Sequence, residues 1–295
     1  WDNDDVEQTT ERLHIVESTD WKAAVISLLD SRYPFRPWRY GFGEARAGEP
    51  VAIILNTEPA SVLTSVGRLG VDGRPDLAVI AWPFRGPGLV DLATLTMVLG
   101  LDEDPRESWQ LTGDAAQRME STLLECEYRH DHATLFGHST VVQARILLRS
   151  DGLCTGCDNL LDLARDDAET NFHIHTVGVP PREAPQVLVR TERVPSYYYG
   201  PIPDDYWRPD LPADWPGVLC TRCKRRMDED GHTSLLDFRF SQHPKCPSCG
   251  AQRTQRALFG ELAVRSSSEI LPWRDPRGCI VTNDIWTCAE CLHRW

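Results

Sequence analysis

The chain has 295 residues, which is room for two domains of ordinary size. Hydrophobic residues make up 41% and charged residues 25%, which predicts globular folding and excludes wholesale disorder. No run of about 18 apolar residues occurs, so no membrane-spanning helix is expected. The acidic first residues lack the basic-then-apolar order of a secretion signal. The net charge of −13 argues against a uniformly basic surface for nucleic acid, so any basic surface must be local.

The N-terminal half, residues 1–135, predicts a mixed α+β domain. A helix is expected over residues 20–32, where Asp20 can cap the first turn and Trp21, Val25 and Leu28 form one stripe. Apolar runs punctuated by Gly and Pro predict strands over 51–55, 62–69 and 77–82. Two further helices are expected near 89–99 and 113–128. The natural architecture is a small mixed barrel with helices.

The second half begins with one more predicted helix, over residues 139–150, which Asp151 and Gly152 end. Residues 178–217 are rich in Pro and include three consecutive tyrosines, so long regular elements are not expected there. A loop of this length inside a compact domain is typically functional or an insertion. Its role stays open, because the tyrosines could equally well contact a ligand or pack over a neighbouring module.

Eight of the ten cysteines form C-x-x-C pairs: Cys154/Cys157, Cys220/Cys223, Cys246/Cys249 and Cys288/Cys291. This spacing places two thiolates on one turn, where they chelate a tetrahedral metal well, so two structural Zn²⁺ ions are expected. Disulfides are the alternative. Zinc with reduced thiols indicates the cytoplasm. Cys126 and Cys279 are left over and are expected to be buried free thiols.

The four pairs can share two ions in three ways. Cys246-Pro-Ser-Cys249-Gly is typical of a zinc-ribbon knuckle, and Trp286-Thr-Cys288-Ala-Glu-Cys291 fits a second knuckle. This favours a zinc ribbon over residues 241–295, which leaves Cys154/Cys157 to share the other ion with Cys220/Cys223. The alternative, in which Cys220/Cys223 pairs with Cys246/Cys249, stays open. Four-cysteine sites leave the metal no open position, so neither ion is expected to be catalytic.

Basic charge collects around the middle cysteine pairs. Residues 216–265 hold nine basic and five acidic side chains, although the whole chain is acidic. A local basic patch can bind phosphate on an acidic protein. The candidate nucleic-acid contacts in this patch are Arg222, Lys224, Arg225 and Arg226. The alternative is a solvated face without a ligand.

Residues 144–157 read ARILLRSDGLCTGC, a helix that ends in Arg-x-Asp-Gly before C-x-x-C. Together with the strand FHIHTV at 172–177 and the segment LCTRC at 219–223, this resembles an HNH endonuclease domain of the ββα-metal, treble-clef type over about residues 139–240. The resemblance implies that His175 is the general base, beside a catalytic divalent metal such as Mg²⁺, Mn²⁺ or Ni²⁺. His173 faces the same side of the strand and is the second candidate catalytic residue.

The sequence departs from the family pattern at two positions. The residue before the base is usually Asp or His and is Ile174 here, and the residue after the second C-x-x-C is Lys224. His173 could contribute to an altered metal site with Asp167 or His232. The alternatives are a degenerate HNH fold that binds without cutting, and histidines that only pack or face solvent.

The N-terminal half carries a second resemblance. RYGFG at 39–43, GEPVAII at 48–54 and VGRL at 66–69 are similar to the opening of a PUA-like barrel, a superfamily that includes the EVE and SRA domains. The resemblance implies a reader of a flipped, modified base. Aromatic faces stack on an extruded base, and the candidates are Trp38, Tyr40, Trp82 and Phe84. The alternative is that these aromatic side chains pack the domain core.

Together, the two resemblances imply a metal-dependent DNA endonuclease of HNH type that is similar to bacterial enzymes restricting modified DNA. Methylated cytosine is the expected modification. The hypothesis from a different class is a non-catalytic zinc-binding module for nucleic acid or for a protein partner. A third is a subunit that docks into a larger assembly. DNA is the expected partner, no membrane is expected, and a homodimer is compatible with the sequence.

Overall fold

The computed structural model describes residues 12–35, 37–39, 45–69, 75–76, 88–101, 103–125, 132–178, 211–259, 271–278 and 281–295. The chain divides into two compact units. Unit 1 comprises residues 1–128, 139–152 and 161–171, and unit 2 comprises residues 129–138, 153–160 and 172–295. The three predicted domains, with boundaries near residues 135 and 240, stay a prediction. Within the described ranges, no helix combines the length and apolar composition needed to cross a membrane.

Unit 1 is built on one mixed sheet. Its strands are β1 (Arg12–Ser18), β2 (Trp38–Arg39), β3 (Pro50–Leu55), β4 (Ser61–Leu69), β5 (Pro75–Asp76), β6 (Leu89–Asp91) and β7 (Gln110–Thr112). The order is β2-β1-β3-β4-β5, with β7 also on β1 and β6 also on β4. Strands β1 and β3 are parallel, and the other pairs are antiparallel.

The expected barrel is not observed among the described strands, because the sheet is open. Its outer strands, β2 and β7 on one side and β5 and β6 on the other, do not pair with each other. The broader prediction of a mixed α+β fold is confirmed. The predicted strands at 51–55 and 62–69 are observed as β3 and β4, whereas the predicted strand at 77–82 lies outside the described residues.

The core of unit 1 follows from side-chain alternation along these strands. Leu13 and Ile15 of β1 and Ala52 and Ile54 of β3 point to one face, since alternate residues of a strand share a face. Val62 and Val66 of β4 lie opposite Ile54 and Ala52 and belong to the same face. This face packs against buried residues of two helices, namely Leu92, Leu95, Leu99, Ala116, Met119 and Leu123. Every residue of β3 is buried, so both faces of the central strand are covered.

The described part of unit 1 contains five α-helices, and an aspartate caps the start of the first three. The helices are α1 (Trp21–Leu29), α2 (Leu92–Leu99), α3 (Pro105–Ser108), α4 (Gly113–Glu125) and α5 (Thr140–Arg149). The Asp20 side chain accepts a hydrogen bond from Ala23 N at the start of α1, and Asp91 accepts one from Thr94 N at the start of α2. The helices predicted near 20–32, 89–99, 113–128 and 139–150 are thereby confirmed, with shorter bounds.

Unit 2 contains a small hairpin followed by helices. Strand β8 (Phe172–His175) pairs antiparallel with β9 (Gly217–Cys220), and α6 (Thr221–Glu229) begins directly after β9. Helix α7 (Leu235–Ser241) follows. A second sheet has the order β11-β10-β12, from β10 (Thr254–Phe259), β11 (Arg274–Gly278) and β12 (Trp286–Cys288). The strand-strand-helix order predicted around the second C-x-x-C is therefore observed.

Two methionines give a matched test of the unit 1 core. Met119 of α4 is fully buried in the cluster, whereas Met97 of α2 is 75% exposed. Met119→Ala should lower the free energy of unfolding by about 2–5 kcal/mol, because it removes apolar contacts and leaves a cavity. Met97→Ala should change it by less than about 0.5 kcal/mol. Urea titrations followed by circular dichroism measure both values, and equal losses in the two variants would contradict the described core.

Candidate functional site

The first cysteine group joins a turn to the hairpin of unit 2. The ligand atoms of Cys154, Cys157, Cys220 and Cys223 all lie within 4.8 Å of one another. Cys154 and Cys157 belong to a tight turn, in which Cys154 O accepts from Asp158 N at 2.8 Å. Cys220 ends β9 and Cys223 lies in the first turn of α6. One ion at this group would therefore tie the turn, the strand and the helix together.

Two glycines allow the turn to approach the hairpin closely. A Cβ on Gly156 would lie 2.9 Å from Leu219 Cδ2 and 3.1 Å from Cys223 Sγ. A Cβ on Gly217 would lie 2.6 Å from Thr155 Oγ1. Thr155 bonds β9 directly, since its N–H donates to Val218 O at 2.7 Å and its Oγ1 accepts from Val218 N at 2.9 Å. Backbone packing at these points thus fixes the first pair of cysteines against the second pair.

The second group lies at the three-stranded sheet of β10, β11 and β12, which is termed the ribbon sheet because it falls in the segment predicted to be a zinc ribbon. The ligand atoms of Cys246, Cys249, Cys288 and Cys291 also lie within 4.8 Å of one another. Cys246 Sγ is 3.6 Å from Cys291 Sγ, and Cys249 Sγ is 3.6 Å from Cys288 Sγ. Cys288 ends β12, which pairs with β10. The structure therefore groups the four C-x-x-C pairs in the favoured way, and not in the alternative that joins Cys220/Cys223 to Cys246/Cys249.

Both groups fit structural zinc. A ZnS₄ tetrahedron with Zn–S bonds near 2.3 Å has sulfur–sulfur edges of about 3.8 Å, close to the two separations of 3.6 Å in the second group and within the 4.8 Å limit that both groups meet. Burial raises the pKa of Cys154 to about 11 and that of Cys288 to about 12, whereas backbone hydrogen bonds lower the pKa of Cys157 and that of Cys246. Four thiolates complete the coordination of the ion, so the two groups could hold structural zinc and leave no position for a substrate.

Strand β8 carries the candidate catalytic histidines. Phe172 is buried while His173 is exposed, and His175 lies opposite Gly217 of β9. His175 Nε2 is 2.8 Å from Asp214 Oδ2, and both side chains are about four-fifths buried. His175 of β8 and Asp214, three residues before β9, therefore form a histidine–carboxylate pair at the opposite end of the hairpin from Cys220.

Asp214 is held firmly by the backbone. Its Oδ1 accepts hydrogen bonds from Trp215 N at 2.7 Å and from Leu235 N at 2.8 Å, at the start of α7. Burial would raise the pKa of Asp214, but the hydrogen bond and charge of His175, with the Trp215 donor, outweigh it and hold that pKa below its ordinary value. The sequence prediction missed Asp214. It stands 39 residues from His175, and its only local signal is its position just before β9.

The structure does not assemble the expected ligand set for a catalytic cation. Among the described residues, the two cysteine groups are the only sets of three or more His, Cys, Asp or Glu side chains close enough to share an ion. Ile174 offers no ligand atom, and Lys224 forms an ion pair with Asp228 at 2.5 Å. Asp167 pairs instead with Arg165 at 2.9 Å, and His232 packs against Phe238. A site for Mg²⁺, Mn²⁺ or Ni²⁺ stays a prediction.

The predicted basic contacts lie on α6. Arg222, Arg225 and Arg226 are exposed, and Lys224 is half-buried. A hydrogen bond to Cys157 raises the pKa of Arg222, which places this guanidinium beside the first cysteine group. Arg226 Nε is 3.5 Å from Asp230 Oδ2, so it is partly offset by an acidic neighbour. Contact of these side chains with nucleic acid stays a prediction.

Only one of the four predicted base-stacking residues is described. Trp38 lies half-buried in β2, opposite Ser18 of β1. Tyr40, Trp82 and Phe84 lie outside the described residues, as do Cys126 and Cys279, which are predicted to be buried free thiols, and the Tyr-rich stretch within 179–210. A base-binding pocket in unit 1 therefore stays a prediction.

Comparison with known proteins gives no match to a family model, to a curated protein or to a solved structure. Function is therefore inferred from the geometry of unit 2 and from the motif residues themselves.

The two separate cysteine groups predict that substitutions in one group remove one zinc ion and leave the other bound. The chain purified under reducing conditions should contain two zinc ions, measured by plasma mass spectrometry. Replacing Cys154 and Cys157 by Ser should leave the ribbon ion, and replacing Cys246 and Cys249 by Ser should leave the other, because each set holds its own ion. Cys126→Ser is the matched control and should keep both. Two ions retained after the loss of either pair would contradict the assignment.

Proposed function

We propose that the chain is a nucleic-acid phosphodiesterase of the HNH type, with His175 as its general base. The single observation that supports this is the pair of His175 and Asp214 on a zinc-type ββα unit. A carboxylate that accepts from one imidazole nitrogen fixes the tautomer and leaves the other nitrogen as a base. The side chains of His175 and Asp214 are 20% and 22% exposed, and His173 on the same strand is exposed, so His175 is partly buried and still accessible to solvent.

The chemistry follows from the tautomer. Asp214 is ionised and accepts from His175 Nε2–H, so Nδ1 holds the free lone pair. Nδ1 takes a proton from water as the water oxygen bonds to phosphorus. The bond from phosphorus to the departing sugar oxygen breaks, and that oxygen takes a proton from solvent. The negative charge of Asp214 stabilises the imidazolium that forms, because a carboxylate at hydrogen-bond distance favours the charged form of a histidine.

No step here passes through a catalytic cation, because the described residues do not provide a three-ligand group beside His175. The HNH resemblance implies a divalent cation, and the cleavage assay tests this by adding Mg²⁺, Mn²⁺ or Ni²⁺. DNA is the proposed substrate on account of the exposed arginines of α6 and the resemblance to restriction enzymes. Methylated cytosine is the proposed target feature, and the reduced, zinc-bound thiols fit the cytoplasm.

A cleavage assay tests the proposal. Unmodified and cytosine-methylated plasmids are incubated with the chain and with Mg²⁺, Mn²⁺ or Ni²⁺. His175→Ala should lower the cleavage rate by about 10²–10⁴-fold, the usual contribution of a general base. Asp214→Asn keeps an acceptor for Trp215 N and Leu235 N but cannot stabilise the imidazolium, so its rate should also fall by roughly 10²-fold.

The control for this assay is His293→Ala, since His293 is an exposed histidine on the ribbon and should be dispensable for cutting. All variants must keep two zinc ions, which excludes loss of fold as the cause. Cutting that survives in His175→Ala would show that His175 is not the base. A preference for methylated plasmid would support base reading, and equal cutting of both plasmids would remove that part of the proposal.

The second candidate function is a non-catalytic zinc module that binds nucleic acid or a protein. The observation that favours it is the lack of ligand atoms at Ile174 and the ion-paired state of Lys224, where HNH domains hold metal-site residues. In this function the bond between His175 and Asp214 serves to join β8 to the start of α7. DNA binding that falls steeply with salt, with no cutting by any of the three cations, would support it.

A further inference from the structure

Unit 2 contains a cavity of about 260 Å³ between the ribbon sheet and helix α7. One wall is a row of side chains that cross the sheet. Arg256 of β10 lies directly opposite Arg274 of β11 on one side and Trp286 of β12 on the other. Residues that are directly opposite in a sheet point to the same face, so these three side chains lie together. Arg239, Gln242 and His243 form much of the rest of the lining, with Gly156, Cys157 and Trp273.

The cavity has an excess of positive charge. Arg239, Arg256 and Arg274 line it, and the carboxylate near them is Asp158, which pairs with Arg239 and lies 3.5 Å from Arg274. Arg256 is exposed and has no ion pair with any residue that the structure describes. Like charges directly opposite in a sheet destabilise it, so folding alone does not favour Arg256 beside Arg274. An anion between the guanidinium groups would remove this repulsion.

Two buried donors at the cavity lack partners. Trp273 is 1% exposed and its Nε1 has no hydrogen-bond partner among the described residues; the same holds for Nε of Arg239, which is 8% exposed. The rest of the Arg239 guanidinium is fixed, because it donates to Thr155 O, Gly156 O and Asp158. Buried N–H groups normally have an acceptor, so unpartnered donors beside a cationic cavity point to an acceptor-rich ligand.

An alternative role for the arginines is to offset the charge of the first cysteine group. A zinc ion with four thiolates carries a net charge of −2, and Cys157 lines the cavity. Charge compensation explains why a guanidinium lies near Cys157, but Arg222 of α6 already donates a hydrogen bond to Cys157. It does not explain Arg256 and Trp286, which lie on β10 and β12 and face the cavity from the ribbon.

We infer that the cavity binds a phosphate group carried by a nucleotide, with Arg256 and Arg274 contacting the phosphate and Trp286 stacking on the base. Guanidinium groups match phosphate oxygens in bidentate geometry, and a half-buried indole offers a face to any base. The nucleotide is either free or part of a single strand. This site is separate from His175 and does not depend on cleavage.

Binding of a fluorescently labelled single-stranded oligonucleotide of about 12 nucleotides tests the inference, measured by anisotropy over a range of salt. All variants are made in the His175→Ala chain, so that cleavage cannot interfere and failure of the nuclease proposal leaves this result intact. Arg256→Ala should raise the dissociation constant about tenfold and reduce the salt slope by about one, the effect of losing one phosphate contact. Arg256→Lys should recover part of the affinity.

Arg294→Ala is the matched control, because Arg294 is an exposed ribbon arginine outside the cavity and its loss changes the net charge equally. It should leave the dissociation constant within about twofold. Equal weakening by Arg256→Ala and Arg294→Ala would overturn the site in favour of diffuse attraction. Loss of a zinc ion in Arg256→Ala would overturn it in favour of a role in the zinc centre.

Competition identifies the source of the phosphate. If adenosine monophosphate displaces the oligonucleotide and this competition is lost in Arg256→Ala, the natural ligand is a free nucleotide. If only the unlabelled strand displaces it, the natural ligand is a single-stranded nucleic acid. Either result supports the site. A poly-glutamate peptide that displaces the oligonucleotide more effectively than the unlabelled strand would overturn the inference, since the cavity would then suit an acidic protein partner.

Discussion

Thiolate coordination by the four-cysteine groups, which could hold structural zinc, is the interaction on which we expect unit 2 to depend. Its hairpin has strands of only four residues, and a two-stranded hairpin of that size is marginally stable alone. Structural zinc contributes roughly 10 kcal/mol or more of folding free energy at each site. Gly217 permits the close approach of Thr155 to Val218. This contact holds the turn with Cys154 and Cys157 against β9, which ends at Cys220.

An ion at the first cysteine group would help to fix the positions of His175 and Asp214. Cys220 ends β9, whose first residue, Gly217, is opposite His175, so the ion and the histidine are set by one short strand. Asp214 lies just before that strand and bonds both His175 and the start of α7. A zinc ion with no open position could thus fix the geometry of the histidine–carboxylate pair without itself contacting a substrate. The same turn supplies Gly156 and Cys157 to the arginine-lined cavity, so both proposed sites depend on it.

The local features were predictable from sequence, and the long-range ones were not. The C-x-x-C spacing and the ribbon-type flanks predicted the cysteine grouping, and capping by Asp20 predicted where α1 begins. The predicted barrel was wrong for the described strands because closure depends on which strands meet, and the parallel pairing of β1 with β3 is not encoded in either strand alone. Asp214 could not be tied to His175, nor Arg256 to Arg274, because each pair forms only through tertiary pairing.

X-ray absorption spectroscopy at the zinc edge of the purified chain tests the central claim most directly. The account predicts that both ions have four sulfur neighbours at about 2.3 Å and no nitrogen or oxygen neighbour in the first shell. A first shell that contains nitrogen or oxygen, or an average of fewer than four sulfur atoms per ion, would contradict it. In that case the turn, the hairpin and the ribbon would not be held by the two four-cysteine groups.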